Sequence, residues 1–86
     1  MTIAKDPSKF VETEIDDEVV LMDLASGDFF SLEGTSLAVW RLIDGSRSEA
    51  GIVSAIAAEY EVSIAQVAPD VGAFLGELSG LGLISR

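Results

Sequence analysis

Eighty-six residues make one small domain, and the absence of Cys and His removes disulfides, thiolate or imidazole metal sites and the commonest general base. Five Lys and Arg against 15 Asp and Glu give a net charge of −10, a field that repels phosphate backbones and anionic membrane surfaces. Nearly half of the residues are apolar and mean hydropathy is positive, so the chain is expected to fold despite its acidity.

Residues 1–9 contain Lys5, Asp6, Pro7 and Lys9, lack the apolar run of a signal peptide, and are expected to be a flexible lead-in. Three short runs then follow: Phe10–Ile15, Glu18–Leu24 and Phe29–Glu33, separated by Asp16-Asp17 and by Ala25-Ser26-Gly27-Asp28. β-Branched and aromatic runs between Asp and Gly turns predict three strands in an antiparallel meander. Alternation puts Phe30 and Leu32 on one face of the third strand, the better candidate for burial, with Phe29, Ser31 and Glu33 on the other.

Past Gly34 the period becomes helical. Thr35–Asp44 carries Leu37, Trp40 and Ile43 on one stripe and stops at Gly45. Ser46 with Glu49 reads as a capping box for a second helix bearing Ile52, Val53, Ile56 and Tyr60. Ser63 with Gln66 repeats that signature, followed by the stripe Val67, Val71, Phe74, Leu75, Leu78 and Leu81. Pro69 interrupts it, so the expectation is a short turn capped by Ser63 and a long helix with Pro69 in its first turn. Gly82 closes that helix, with Leu83 folding back on Leu78. Asp70 and Glu77 break the longest weakly charged stretch, which argues against a bilayer span and for a cytoplasmic domain.

The only abundant reactive groups are carboxylates. Asp16, Asp17 and Glu18 are consecutive and diverge, as in a solvated turn, and no metal loop, phosphate-cradling glycine loop or nucleophile elbow is present. Neither an enzyme nor a cofactor or metal site is expected. Two features stand out. The third strand, Phe29–Leu32, is expected at a sheet edge, where its backbone groups are either masked or open to strand addition by a peptide. The last helix carries Gly72, Gly76 and Gly80 in a row, which either lets another backbone approach closely or is drift on an exposed face.

Phe29-Phe30-Ser31-Leu32-Glu33-Gly34-Thr35, running into Val39-Trp40-Arg41-Leu42-Ile43-Asp44-Gly45, resembles the PqqD family, as does Asp70-Val71-x-x-Phe74-Leu75-x-x-Leu78-x-x-x-Gly82-Leu83-Ile84. This family, also called the RiPP recognition element, binds the leaders of ribosomally made, post-translationally modified peptides. The resemblance spans residues 10–84 and fits stand-alone elements of lasso-peptide pathways better than the true pyrroloquinoline-quinone protein. The latter carries Pro-Glu-Gly where this chain has Leu32-Glu33-Gly34.

The resemblance implies an α+β, winged-helix-like fold of order βββααα that has lost DNA binding. It implies that a leader adds as a strand beside the third strand, in a groove walled by the third helix. The strand residues carried over are Phe29, Phe30, Ser31 and Leu32; the helix residues are Val67, Asp70, Val71 and Phe74. Apolar pockets between Phe30 or Leu32 and the helix would select leader side chains. The implied partners are a precursor leader and a modifying enzyme or leader protease of a lasso-type or radical-SAM-type pathway. The net charge suggests a basic leader or partner surface. An open edge also permits a homodimer.

Two other readings compete. A winged-helix regulator or small interaction domain suits the topology but not the charge, since residues 64–85 contain no Lys or Arg. An acyl carrier protein suits the size and acidity, but Thr35-Ser36-Leu37 lacks the Asp of the phosphopantetheine site and the first third alternates like strands.

Overall fold

The computed structural model describes residues 1–86. In chain order its elements are β1 (Ala4–Lys5), β2 (Phe10–Ile15), β3 (Glu18–Asp23), β4 (Phe29–Leu32), α1 (Gly34–Leu42), α2 (Glu49–Tyr60), α3 (Ile64–Gly80) and β5 (Ile84–Ser85). The three predicted strands are β2, β3 and β4, antiparallel in that order, and three helices follow. Asp16, at φ 54°, takes the left-handed conformation that a two-residue hairpin demands and that Asp tolerates. Gly27, at φ 79°, does the same in the next turn, where Ala25 N–H donates to the buried Asp23 carboxylate at 3.0 Å.

The two ends of the chain form a separate ribbon, β1 pairing with β5 through Ala4↔Ser85 and Lys5↔Ile84. This corrects the expectation of a flexible lead-in over residues 1–9. Ile3 is buried, its N–H donates to Arg47 O at 2.8 Å, and its carbonyl accepts from Gly45 N–H at 3.1 Å. A single Ile outside any repeating apolar pattern gives no periodic signal, yet here it fills the core beneath the α1–α2 loop.

Three helix boundaries differ from expectation for local reasons. Helix α1 stops at Leu42, because Asp44 accepts from Ser46 N–H at 2.9 Å and Gly45, at φ 86°, reverses the chain. Ser46 being held there, Ser48 caps α2 instead, accepting from Gly51 N–H at 3.2 Å. Helix α3 runs unbroken from its Ser63 cap through Pro69, so the short separate turn expected before Pro69 is part of one helix. The proline lies on an exposed face, and the carbonyl it leaves without a donor belongs to Ala65, also exposed, where water can serve it. At the other end, Gly82 N–H donates to Ser79 O and Leu83 N–H to Leu78 O, both at 3.0 Å, with Gly82 at φ 78°. That is the Schellman closure expected for Gly82, and Leu78 and Leu83 are both buried beside it.

Val19, Leu21 and Leu32 face the helices from the sheet, with Phe30 half-buried against them. Trp40 is fully buried, with Phe10 edge-on to its ring at 5.2 Å and the Lys5 ammonium 4.3 Å from the ring centre. Partial burial lowers the Lys5 pKa, against the opposing pull of Glu12 and Asp44.

Candidate peptide-binding site

Strand β4 pairs on one side only, with β3, in the register Val19↔Leu32, Val20↔Ser31, Leu21↔Phe30 and Met22↔Phe29. Asp23 N–H donates to Asp28 O at 2.8 Å and so fixes the phase of the ladder. In antiparallel pairing every second pair exchanges hydrogen bonds. Phe30 and Leu32 therefore bond to β3, while the N–H and C=O groups of Phe29 and Ser31 turn outward to the free edge. Side chains follow the same alternation: Leu32 is buried and Phe30 half-buried, and Phe29 and Ser31 are exposed. The Ser31 hydroxyl donates to Glu18 on β3.

Just past β4, the first turn of α1 opens onto a cavity of about 430 Å³. Thr35, Ser36 and Val39 of α1 form one wall, Ile56 and Tyr60 of α2 with Val62 a second, and Gln66, Val67, Asp70, Val71 and Phe74 of α3 the third. All four helix residues expected at the site are thus brought together on one cavity wall. None of the four strand residues lines it. The pockets expected between Phe30 or Leu32 and the third helix are therefore replaced by one cavity among the helices, because both side chains turn into the sheet–helix core. Ile56 and Tyr60 read as core stripe from their helical spacing and Val62 carries no signal of its own, so only the packing of α2 against α3 marks these three as lining.

Asp70 is the one charged residue of the lining, and it is exposed at the rim. Away from the cavity, the Ser8 hydroxyl lowers the pKa of Asp6, and the Ser46 hydroxyl lowers that of Asp44. No group of three or more acidic side chains is placed to hold a metal ion. The glycine row of α3 receives no backbone. A Cβ on Gly72 would meet Glu49 Oε2 at 3.4 Å and one on Gly76 would meet Arg86 Nη1 at 3.7 Å, so these two positions lie under the Arg86–Glu49 ion pair. Gly80 faces open space.

An unpaired strand edge leading to an apolar cavity suits an extended chain held by its backbone and selected by a side chain. The chain belongs to the PqqD family, described as Coenzyme PQQ synthesis protein D, which matches residues 18–84. No curated protein matches it. Among solved structures it is similar to TbiB1 in complex with the TbiA(beta) leader peptide, at 35% identity and a TM-score of 0.80, over 99% of this chain and 95% of that one. It is also similar to a lasso peptide synthetase B1 complexed with the leader peptide, at 29% identity and a TM-score of 0.78, over all of both chains.

Proposed function

We propose that this protein captures the leader of a ribosomally made precursor peptide and presents it, without catalysis of its own, to a modifying enzyme or leader protease. The observation that carries this reading is the free edge of β4, where Phe29 and Ser31 hold their backbone donors and acceptors outward beside the cavity. A guest strand bonds to these groups with little regard to its sequence. Selectivity comes from a side chain crossing the first turn of α1 to meet Val67, Val71 and Phe74, with Asp70 favouring a basic or hydrogen-bonding group at the rim. Both structural relatives are leader-peptide complexes, and both share most of their length with this chain, which supports a lasso-type pathway over a radical-SAM type. Holding the leader raises the local concentration of the attached core peptide at the partner enzyme. A cytoplasmic setting fits this role, and no helix is long and apolar enough to cross a membrane.

A DNA-binding winged helix is disfavoured by the net charge of −10 and by the lack of Lys or Arg in α3. A homodimer through β4 would occupy the same edge and compete with the leader.

The test is a titration of 15N-labelled protein with the leader of the precursor encoded beside its gene. Saturable shifts of the Phe29 and Ser31 amides together with Val67, Asp70, Val71 and Phe74 are expected. Saturable binding that leaves these residues unmoved would reject the site, and no binding at all would reject the function.

A further inference from the structure

The sheet has a second face, and no part of the chain covers it. Alternation places Val11 and Ile15 of β2, Met22 of β3 and Phe29 of β4 on the side away from the helices. Leu24 shares that side, since its N–H bond to Lys9 O at 3.0 Å continues the β2–β3 ladder. Phe29 is 69% exposed, Ile15 54%, Leu24 51% and Val11 46%. These are four of the eight exposed large apolar residues of the protein. The register aligns Val11, Met22 and Phe29 as one row across all three strands. Scattered apolar residues on a surface mean little, but a contiguous row on one sheet face marks an interaction site.

The charge around this row specifies its occupant. Residues 10–33 contain eight Asp and Glu and no Lys or Arg. Glu12, Glu14 and Asp23 share the helix-facing side, which leaves Glu18 and Glu33 with the turn residues Asp16, Asp17 and Asp28 around the outer face, and Lys9 opposite Leu24 as a cation at its border. A second copy would bring the same acidic rim and the same −10 charge against itself, whereas a surface rimmed with Lys or Arg is attracted. Phe29 also belongs to both surfaces: its backbone groups face the edge, and its side chain belongs to this row. A leader strand added beside β4 would extend the same face with its own alternate side chains.

From this we infer that the outer face of the β2–β3–β4 sheet docks the enzyme that processes the bound precursor, through an apolar patch on that enzyme rimmed by Lys or Arg. The identity of the partner rests on the leader-binding function proposed above; the surface itself does not. The leader and the enzyme thus occupy adjoining surfaces that meet at Phe29, so a change that one makes in the affinity of the other is returned in equal measure.

The experiment uses the processing enzyme encoded with the precursor, purified without peptide, and measures its affinity for the full-length chain with and without leader. Val11→Lys and Ile15→Lys lie on β2, the strand farthest from the leader edge, and their folding is checked by circular dichroism. Each is expected to weaken enzyme binding about tenfold or more while leader affinity stays within about twofold. Raised salt is expected to weaken the unsubstituted pair as well. Should Val11→Lys fail to fold, Ile15→Lys at the hairpin end carries the comparison, with Thr13→Arg between them as a further probe. Undiminished enzyme affinity in the folded variants overturns the inference. So does an unsubstituted chain that does not bind the enzyme, or one that dimerises alone in a manner abolished by Val11→Lys. Failure of the leader to bind, with enzyme affinity still sensitive to Val11, would instead reject the leader function and leave the docking face standing.

Discussion

Trp40 donates its indole N–H to Glu12 Oε1 at 2.9 Å across 28 positions of sequence, so the only polar atom of a fully buried side chain is met by a carboxylate at the rim of the sheet. Removing that acceptor leaves a buried donor unsatisfied, which costs about 1–3 kcal/mol. Glu12→Ala is expected to lower stability by this amount, and Glu12→Gln, which keeps an acceptor, by less than about 1 kcal/mol. Urea denaturation followed by tryptophan fluorescence reads both. Equal midpoints for Glu12→Ala and the parent protein would show that the bond contributes nothing.

Phe29 and Phe30 are adjacent, yet proline should affect them oppositely. The Phe29 N–H points to the open edge, and proline is tolerated on edge strands where its missing donor faces solvent. Phe29→Pro should therefore keep the native circular dichroism spectrum and lose leader binding by about tenfold or more, through the lost donor and side chain. Phe30→Pro removes a bond to Leu21 inside the ladder and should destabilise the whole domain. Native-like affinity in a folded Phe29→Pro protein would remove β4 from the site.

Asp70 is exposed on α3, so Asp70→Lys should leave the fold intact. As the one charge lining the cavity, its reversal should weaken a basic leader by roughly fivefold, corresponding to about 1 kcal/mol for an exposed ion pair. The loss should shrink in high salt. Anisotropy titrations at two ionic strengths check both statements, and a deficit unchanged by salt would point to shape rather than charge.

Pro69 lies in the interior of α3, where proline typically costs about 3 kcal/mol relative to alanine. Its rigidity in the unfolded chain returns about 0.4–1 kcal/mol. Pro69→Ala should therefore raise stability by about 2–2.6 kcal/mol, since an alanine N–H can bond to Ala65 O. Thermal unfolding measures it. A lowered midpoint would mean that the proline fits this helix better than its missing donor suggests.

Much of this architecture is legible without coordinates because its signals are local. Asp-Asp and Ser-Gly-Asp turns between alternating runs mark the meander, and Gly82 after an apolar stripe marks the helix end, since each acts within a few residues. A local signal can also mislead: Ser46 with Glu49 reads as a capping box, and only the turn at Asp44 and Gly45 moves the role to Ser48. Ile3 bonds to Gly45 and Arg47, about 40 residues away, and the β1–β5 ribbon joins positions about 80 residues apart, beyond the reach of any periodicity.

The site divides along the same line. Phe29–Leu32 as a strand and Val67, Asp70, Val71 and Phe74 on one side of a helix follow from alternation and helical spacing, which are properties of the backbone. The edge position of Phe29–Leu32 also follows from the order of the meander, but which of its amides point outward, and that the cavity opens among α1, α2 and α3 rather than under Phe30, depend on how the elements pack. Periodicity fixes which residues share a face; what that face meets is decided by segments distant in the chain, through burial and register that arise only when the layers come together.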